Sequence, residues 1–196
     1  MKKALYSFLF ALTGLSLASC SKDKLDKLTN LADITFTQPY AMDVALPESA
    51  TVADSLAPVP VPGGSATLPD FYFTFPTEIA KTLEDYGTNA DKLVSVKLDA
   101  FSMLPLKPEG QNLDFFNSVE LRLSAPGLPE IPVARKNPFP KGVNGVPLDV
   151  DGSNLKEYFL KDSLTIRVMA DVNAIPPAGT QIRFENKYKI TANPLK

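Results

Sequence analysis

The chain has no histidine, no tryptophan and one cysteine in 196 residues. Without histidine, Ser-His-Asp and Cys-His catalytic groupings and His-ligated metal centres are excluded. A single cysteine excludes an intrachain disulfide. The missing tryptophan weakens a carbohydrate-platform reading, since such sites often use broad aromatic faces. Charge of either sign is also modest: 20 Lys and Arg against 22 Asp and Glu, a formal net charge of −2. That balance argues against nucleic acid as a partner. Proline is what the chain has in plenty. Its 18 prolines against 10 glycines suit short strands separated by proline-marked turns.

The first residues depart from the rest. Lys2 and Lys3 precede an uncharged apolar run from Ala4 to Ser19. Once its Ser, Thr and Gly are discounted, this run is too short for a spanning helix of about 20 residues. A basic start, an apolar middle and a small-residue close are the layout of a secretory signal. The close is Leu17-Ala18-Ser19-Cys20, which resembles the lipobox of bacterial lipoproteins. The resemblance implies cleavage between Ser19 and Cys20, a thioether from Cys20 to diacylglycerol, and acylation of the new amine by a chain such as palmitate. Cysteine is the suitable acceptor because a thiolate is the strongest nucleophile among ordinary side chains. Two or more acyl chains, each contributing about 0.8 kcal/mol per buried CH₂, make a stable anchor. Ser21 stands where Asp often retains such proteins in the inner membrane of Gram-negative bacteria. The resemblance therefore implies the outer membrane, with the leaflet left open. Loss of Lys2 and Lys3 with the leader makes the mature chain two charges more negative.

Residues 21–31, SKDKLDKLTNL, read as a tether. From Asp33 the apolar period becomes two, the period of a half-buried strand. Ile34 and Phe36 begin it, and Met42, Val44 and Leu46 follow Pro39. Pro58-Val59-Pro60-Val61-Pro62-Gly63-Gly64 then reads as a stiff connector or edge segment, with a docking segment for a proline-binding partner as the lesser reading. Leu68–Phe75 is an aromatic strand. Thr77–Tyr86 is the best helix candidate, with Ile79, Leu83 and Tyr86 on one face and Gly87 suited to its C-terminal stop.

The later chain alternates strongly. Val94, Val96, Leu98 and Ala100 form one apolar row, and Val119, Leu121 and Leu123 a second. Leu164, Ile166, Val168, Ala170 and Val172 form a third, and Ile182, Phe184, Tyr188 and Ile190 a fourth. One wet and one dry face per strand is the antiparallel pattern. Pro176-Pro177-Ala178-Gly179 predicts a hairpin joining the last two rows, with lysines on the last one guarding an edge. Ser153–Leu160 predicts a helical turn. These elements specify an all-β fold: an antiparallel β-sandwich, immunoglobulin-like, with one short helix. A small β-barrel is the alternative. The domain organisation is a signal peptide over 1–19, a lipidated N-terminus and tether over 20–31, and one sandwich over 32–196. Asn112-Leu113-Asp114-Phe115-Phe116 and the closing strands resemble uncharacterised Gram-negative envelope lipoproteins, which implies no activity.

Four constellations bear on chemistry. Asp149-Val150-Asp151-Gly152-Ser153-Asn154 offers oxygen donors, and Asp149 and Asp151 are the residues a cation would use. Calcium needs six to eight oxygens, yet Pro147 holds the first loop place and Tyr158 the place for a closing acid, so a polar turn is expected. Ser153-Asn154-Leu155-Lys156 matches S-x-x-K without its companion motifs. Glu84 and Asp85 are adjacent on a helix, whereas Asp99 and Glu120 sit at wet strand positions that a shared sheet would bring together; no carboxylate pair meets the spacing of a glycosidase. Of Phe71, Tyr72, Phe73, Phe75, Phe115 and Phe116, alternate strand members must face opposite sides, so Tyr72 is exposed or lies under a loop. No catalytic residue, cofactor or metal is assigned. The expectation is a lipid-anchored, non-catalytic binding or structural module with an envelope protein as its partner. A carrier of a hydrophobic ligand and a histidine-independent carboxylate hydrolase are the alternatives.

Overall fold

The computed structural model describes residues 33–53, 55 and 57–194. The signal peptide, Ser19, Cys20 and the tether lie outside the described residues.

Among the described residues twelve strands are present, and ten of them form the two sheets of an open sandwich. β1 (Ile34–Ala45), β12 (Gln181–Ala192), β5 (Leu93–Lys107) and β8 (Val146–Pro147) make a four-stranded sheet in the order β1-β12-β5-β8. The second sheet has the order β3-β10-β6-β7-β9: β3 (Ala66–Thr67), β10 (Ser163–Val172), β6 (Phe116–Ser124), β7 (Ile131–Lys136) and β9 (Asp149–Val150). β4 (Phe71–Pro76) pairs with β10 as well and completes six strands. A separate two-stranded ladder joins β2 (Val59–Pro60), the proline-rich segment's contribution, to β11 (Ala174–Ile175). Every ladder is antiparallel. Neither large sheet closes on itself, so the fold is the expected all-β sandwich rather than a barrel.

The dry faces of the two sheets meet. Phe73 of β4 packs on Phe184 of β12 at 5.2 Å between ring centroids, and Phe101 of β5 meets the same ring at 5.8 Å. Tyr188, Phe116, Phe159, Leu83 and Leu121 are among the largest side chains that are fully buried. Burial pushes the Tyr188 phenol far above its ordinary pKa because the phenolate would lose its hydration. Helix α1 (Ile79–Asp85) lies within the stretch where the apolar spacing predicts it. Gly87 ends it with φ of +70°, a conformation that costs glycine no Cβ clash. Its C-cap residue Tyr86 stacks on Phe36 at 3.8 Å. The predicted helical turn is α2 (Lys156–Phe159), which buries Phe159 against the Tyr188 ring at 4.7 Å. Among the described residues no helix is long and apolar enough to cross a membrane.

Three expectations are corrected. The last two long strands are not a hairpin: β10 lies in the six-stranded sheet and β12 in the other, so 176–179 carries the chain between layers. The lysine-bearing strand is therefore no edge; β12 lies between β1 and β5, and β1 is the edge. The row Val94-Val96-Leu98-Ala100 also breaks. Opposite β12, register shifts insert extra residues in β5, Val94 and Asp99 among them. Val94 and Ala100 are consequently exposed, while Leu93, Val96, Leu98, Phe101 and Met103 are buried. Each β-bulge shifts the side-chain parity by one.

Candidate binding face

The outer face of the six-stranded sheet carries the densest polar chemistry of the described residues. Alternation puts Arg167, Met169 and Asp171 of β10 and Ser118, Glu120 and Arg122 of β6 on it, because their neighbours fill the core. Antiparallel register sets them in rows. Met169 lies opposite Glu120, Glu120 opposite Arg135 of β7, and Arg135 opposite Asp149 of β9. In the next row Thr67 of β3 lies opposite Asp171, and Asp171 opposite Ser118.

The half of this face around Arg122 and Arg167 is a closed network. Arg167 donates to Asp70 at 2.9 Å through Nε and to Glu130 at 3.1 Å. Arg122 donates to Glu130 and Glu120, both at 2.8 Å. The Asp70 carboxylate, ahead of every other cause, raises the Arg167 pKa further. The Arg167 guanidinium also lies 6.0 Å from the ring centroid of Tyr72, which is 59% exposed, as strand parity required.

The other half holds a depression of about 560 Å³ whose lining includes Thr67, Ser118, Glu120, Arg135, Asn137, Asp149, Met169 and Asp171. Asp171 accepts hydrogen bonds from Thr67 Oγ1 at 2.7 Å and Ser118 Oγ at 3.1 Å. Asp149 accepts from Lys136 Nζ at 3.1 Å. Glu120 turns to Arg122. Arg135, between two carboxylates in register, has no ion pair within 4.0 Å among the described residues, because each neighbour is drawn elsewhere.

The loops beside the depression are cross-linked. Asn173 donates to the Asp114 carbonyl at 2.9 Å and to Asn117 Oδ1 at 3.2 Å. Asn117 donates to the Gly64 carbonyl at 3.1 Å, and Lys141 Nζ to the Asp114 carbonyl at 2.7 Å. Four chain segments are thus held together at this end.

The sequence candidates fall as follows. Asp149 lines the depression, whereas Asp151 closes its own turn, accepting from the Ser153 amide at 2.9 Å and from the Ser153 hydroxyl. The hydroxyl, then the amide, holds the Asp151 carboxyl below its usual pKa. Among the described residues no group of three or more acidic, Cys or His side chains is placed to hold a metal ion. Ser153 and Lys156 flank that turn, with the Lys156 amide held by Asn154 Oδ1 at 3.1 Å. Asp99 and Glu120 do not flank each other: Asp99 is in the four-stranded sheet and Glu120 in the other. Phe115 and Phe116 are buried, with rings 4.5 Å apart. The sequence reading passed over Arg135, Asn137, Thr67 and Ser118; only the tertiary register brings them together.

No family model matches this chain, and no curated protein does. A solved structure titled Desmodium yellow mottle tymovirus is similar at 11% identity over 99% of this chain and 98% of that one, with a TM-score of 0.30.

Proposed function

We propose that this chain is a lipid-anchored cell-envelope protein, tethered through Cys20 to the outer membrane of a Gram-negative bacterium, and that its sandwich is a non-catalytic binding module. The carrying observation is the polar depression on the six-stranded sheet and the cross-linked loops beside it. Loops fixed by a rigid scaffold are the usual carriers of recognition. The contacting rings of Phe73, Phe101 and Phe184 in the interlayer space favour recognition on the outside over carriage of a hydrophobic ligand within.

Two experiments test the two halves of this reading. Labelled palmitate should enter the intact chain and not Cys20→Ala; equal labelling of both refutes the anchor. A photo-crosslinker at Asn137 should capture an envelope component in intact cells far more than one at Lys189 on the opposite face. Equal yields at the two positions refute the binding face.

A further inference from the structure

We infer that the depression on the six-stranded sheet recognises a neutral, polyhydroxylated ligand, a sugar unit of an envelope or extracellular glycan; this rests on the reading of that face as a binding site. The argument is by matching chemistry. An anion would meet Glu120, Asp149 and Asp171 together. A cation would find only Asp171 without an ion-pair partner within 4.0 Å among the described residues, Glu120 being engaged by Arg122 and Asp149 by Lys136, and it would meet the Arg135 guanidinium in the same depression. An apolar ligand would strip water from three carboxylates without replacing their hydrogen bonds, a large penalty. The ligand that fits both donates and accepts from closely spaced positions while carrying no net charge, which describes adjacent ring hydroxyls.

The pieces on the page serve that ligand. The Arg135 guanidinium offers donors that no carboxylate within 4.0 Å uses among the described residues. The Asn137 side chain offers one donor group and one acceptor. Asp171 is oriented by Thr67 and Ser118, which occupy only part of its four acceptor sites. Met169, in the row with Glu120 and Arg135, supplies an apolar spot for the C–H face of a ring. A volume of about 560 Å³ falls inside the range of small-ligand sites, about 300–1,000 Å³. Arg122, shared between Glu130 and Glu120, holds the Glu120 carboxylate in place before binding, which lowers the ordering cost. With no tryptophan in the chain, hydrogen bonds carry the interaction, so the expected Kd for a single sugar is on the order of millimolar.

The test uses the full mature lipoprotein in micelles of a detergent without a sugar headgroup. Saturation-transfer NMR would be recorded with neutral sugars (glucose, galactose, mannose, N-acetylglucosamine, maltose, lactose), with galacturonate as the anion and glucosamine as the cation. At least one neutral sugar should bind, and Arg135→Met and Asp171→Ala should each weaken it about tenfold, while Arg183→Gln on the opposite sheet leaves it unchanged. Absence of binding by every neutral sugar, preference for either charged sugar, or indifference to both depression variants overturns the inference. Asn137 crosslinking that exceeds Lys189 crosslinking despite such a failure would leave the binding face standing and remove only the sugar.

Discussion

The two wet faces of the sandwich are built from the same alternating pattern and yet differ in kind. On the four-stranded sheet, charges project singly: Lys187, Lys189 and Glu185 of β12 are exposed, and among the described residues Arg183 and Asp43 make the one ion pair of this face, at 2.6 Å. Each sheet carries a depression, of about 560 Å³ on the six-stranded one and about 520 Å³ on the four-stranded one, but on the six-stranded sheet arginines share carboxylates and hydroxyls fix an aspartate. The difference lies in what faces what across the ladder. Lys189 of β12 lies opposite Lys97 of β5, so those like charges must turn to water, whereas Glu120 lies between Met169 and Arg135. A strand's wet face becomes a site only when its neighbours supply complementary groups.

The largest expected effect tests whether the faces are independent at all. Phe184 touches rings from both sheets, so Phe184→Ala should destabilise the domain by about 3–5 kcal/mol and disrupt both faces together. Chemical denaturation read by NMR at residues of each sheet measures this; loss of one sheet's structure alone would show two separable layers. Asn186 provides an effect of opposite sign. It is 6% exposed, and its Oδ1 has no hydrogen-bond partner among the described residues. Asn186→Leu removes that orphan acceptor and should raise stability by about 1 kcal/mol. A fall in the thermal midpoint would mean that the acceptor has a partner such as water.

Arg122→Met sharpens the comparison itself. It should cost about 0.5 kcal/mol, the usual size for a part-exposed pair. Released from Arg122, Glu120 is free to reach Arg135, so sugar binding should fall although Arg122 itself does not line the depression. Unchanged binding would show that the open guanidinium does not matter. The smallest effect belongs to Asp43 and Arg183. The hydrogen bond from Arg183 holds the Asp43 carboxyl below its ordinary value of 3.8. A depressed carboxyl contributes stability that is present above the unfolded value and is lost as pH falls through the folded one. Arg183→Gln should therefore differ slightly from the parent at neutral pH and converge with it as the pH falls through the lowered Asp43 pKa. A gap that persists in acid would mean that Arg183 acts by packing.

Much of this was readable residue by residue. Alternation located the long strands, placed Tyr72 on the wet side and buried Ile182, Phe184, Tyr188 and Ile190. The helix was marked by Ile79, Leu83 and the stop at Gly87. The bulges of β5 were not legible, because an extra residue in one strand has meaning only against a partner strand. The supposed terminal hairpin failed for a related reason: a turn sequence fixes where the chain bends, not whether the next strand stays in the same sheet. The depression was hidden likewise. Glu120 and Asp149 were visible as acids, but nothing local indicates that Arg135 stands between them while Arg122 and Lys136 hold them away.

The sequence by itself determined the absence of histidine chemistry, the want of any intrachain disulfide and a chain of half-dry strands, and it raised the expectation of a leader over 1–19 with attachment at Cys20. Those properties depend on composition and on contacts between near neighbours. The tertiary structure decided which strand is an edge, which wet face gathers its charges and which guanidinium stays open. Those depend on register between strands far apart in the chain, 156 residues at Thr35 and Thr191, where pairing energy is shared across a whole sheet and no local pattern specifies it.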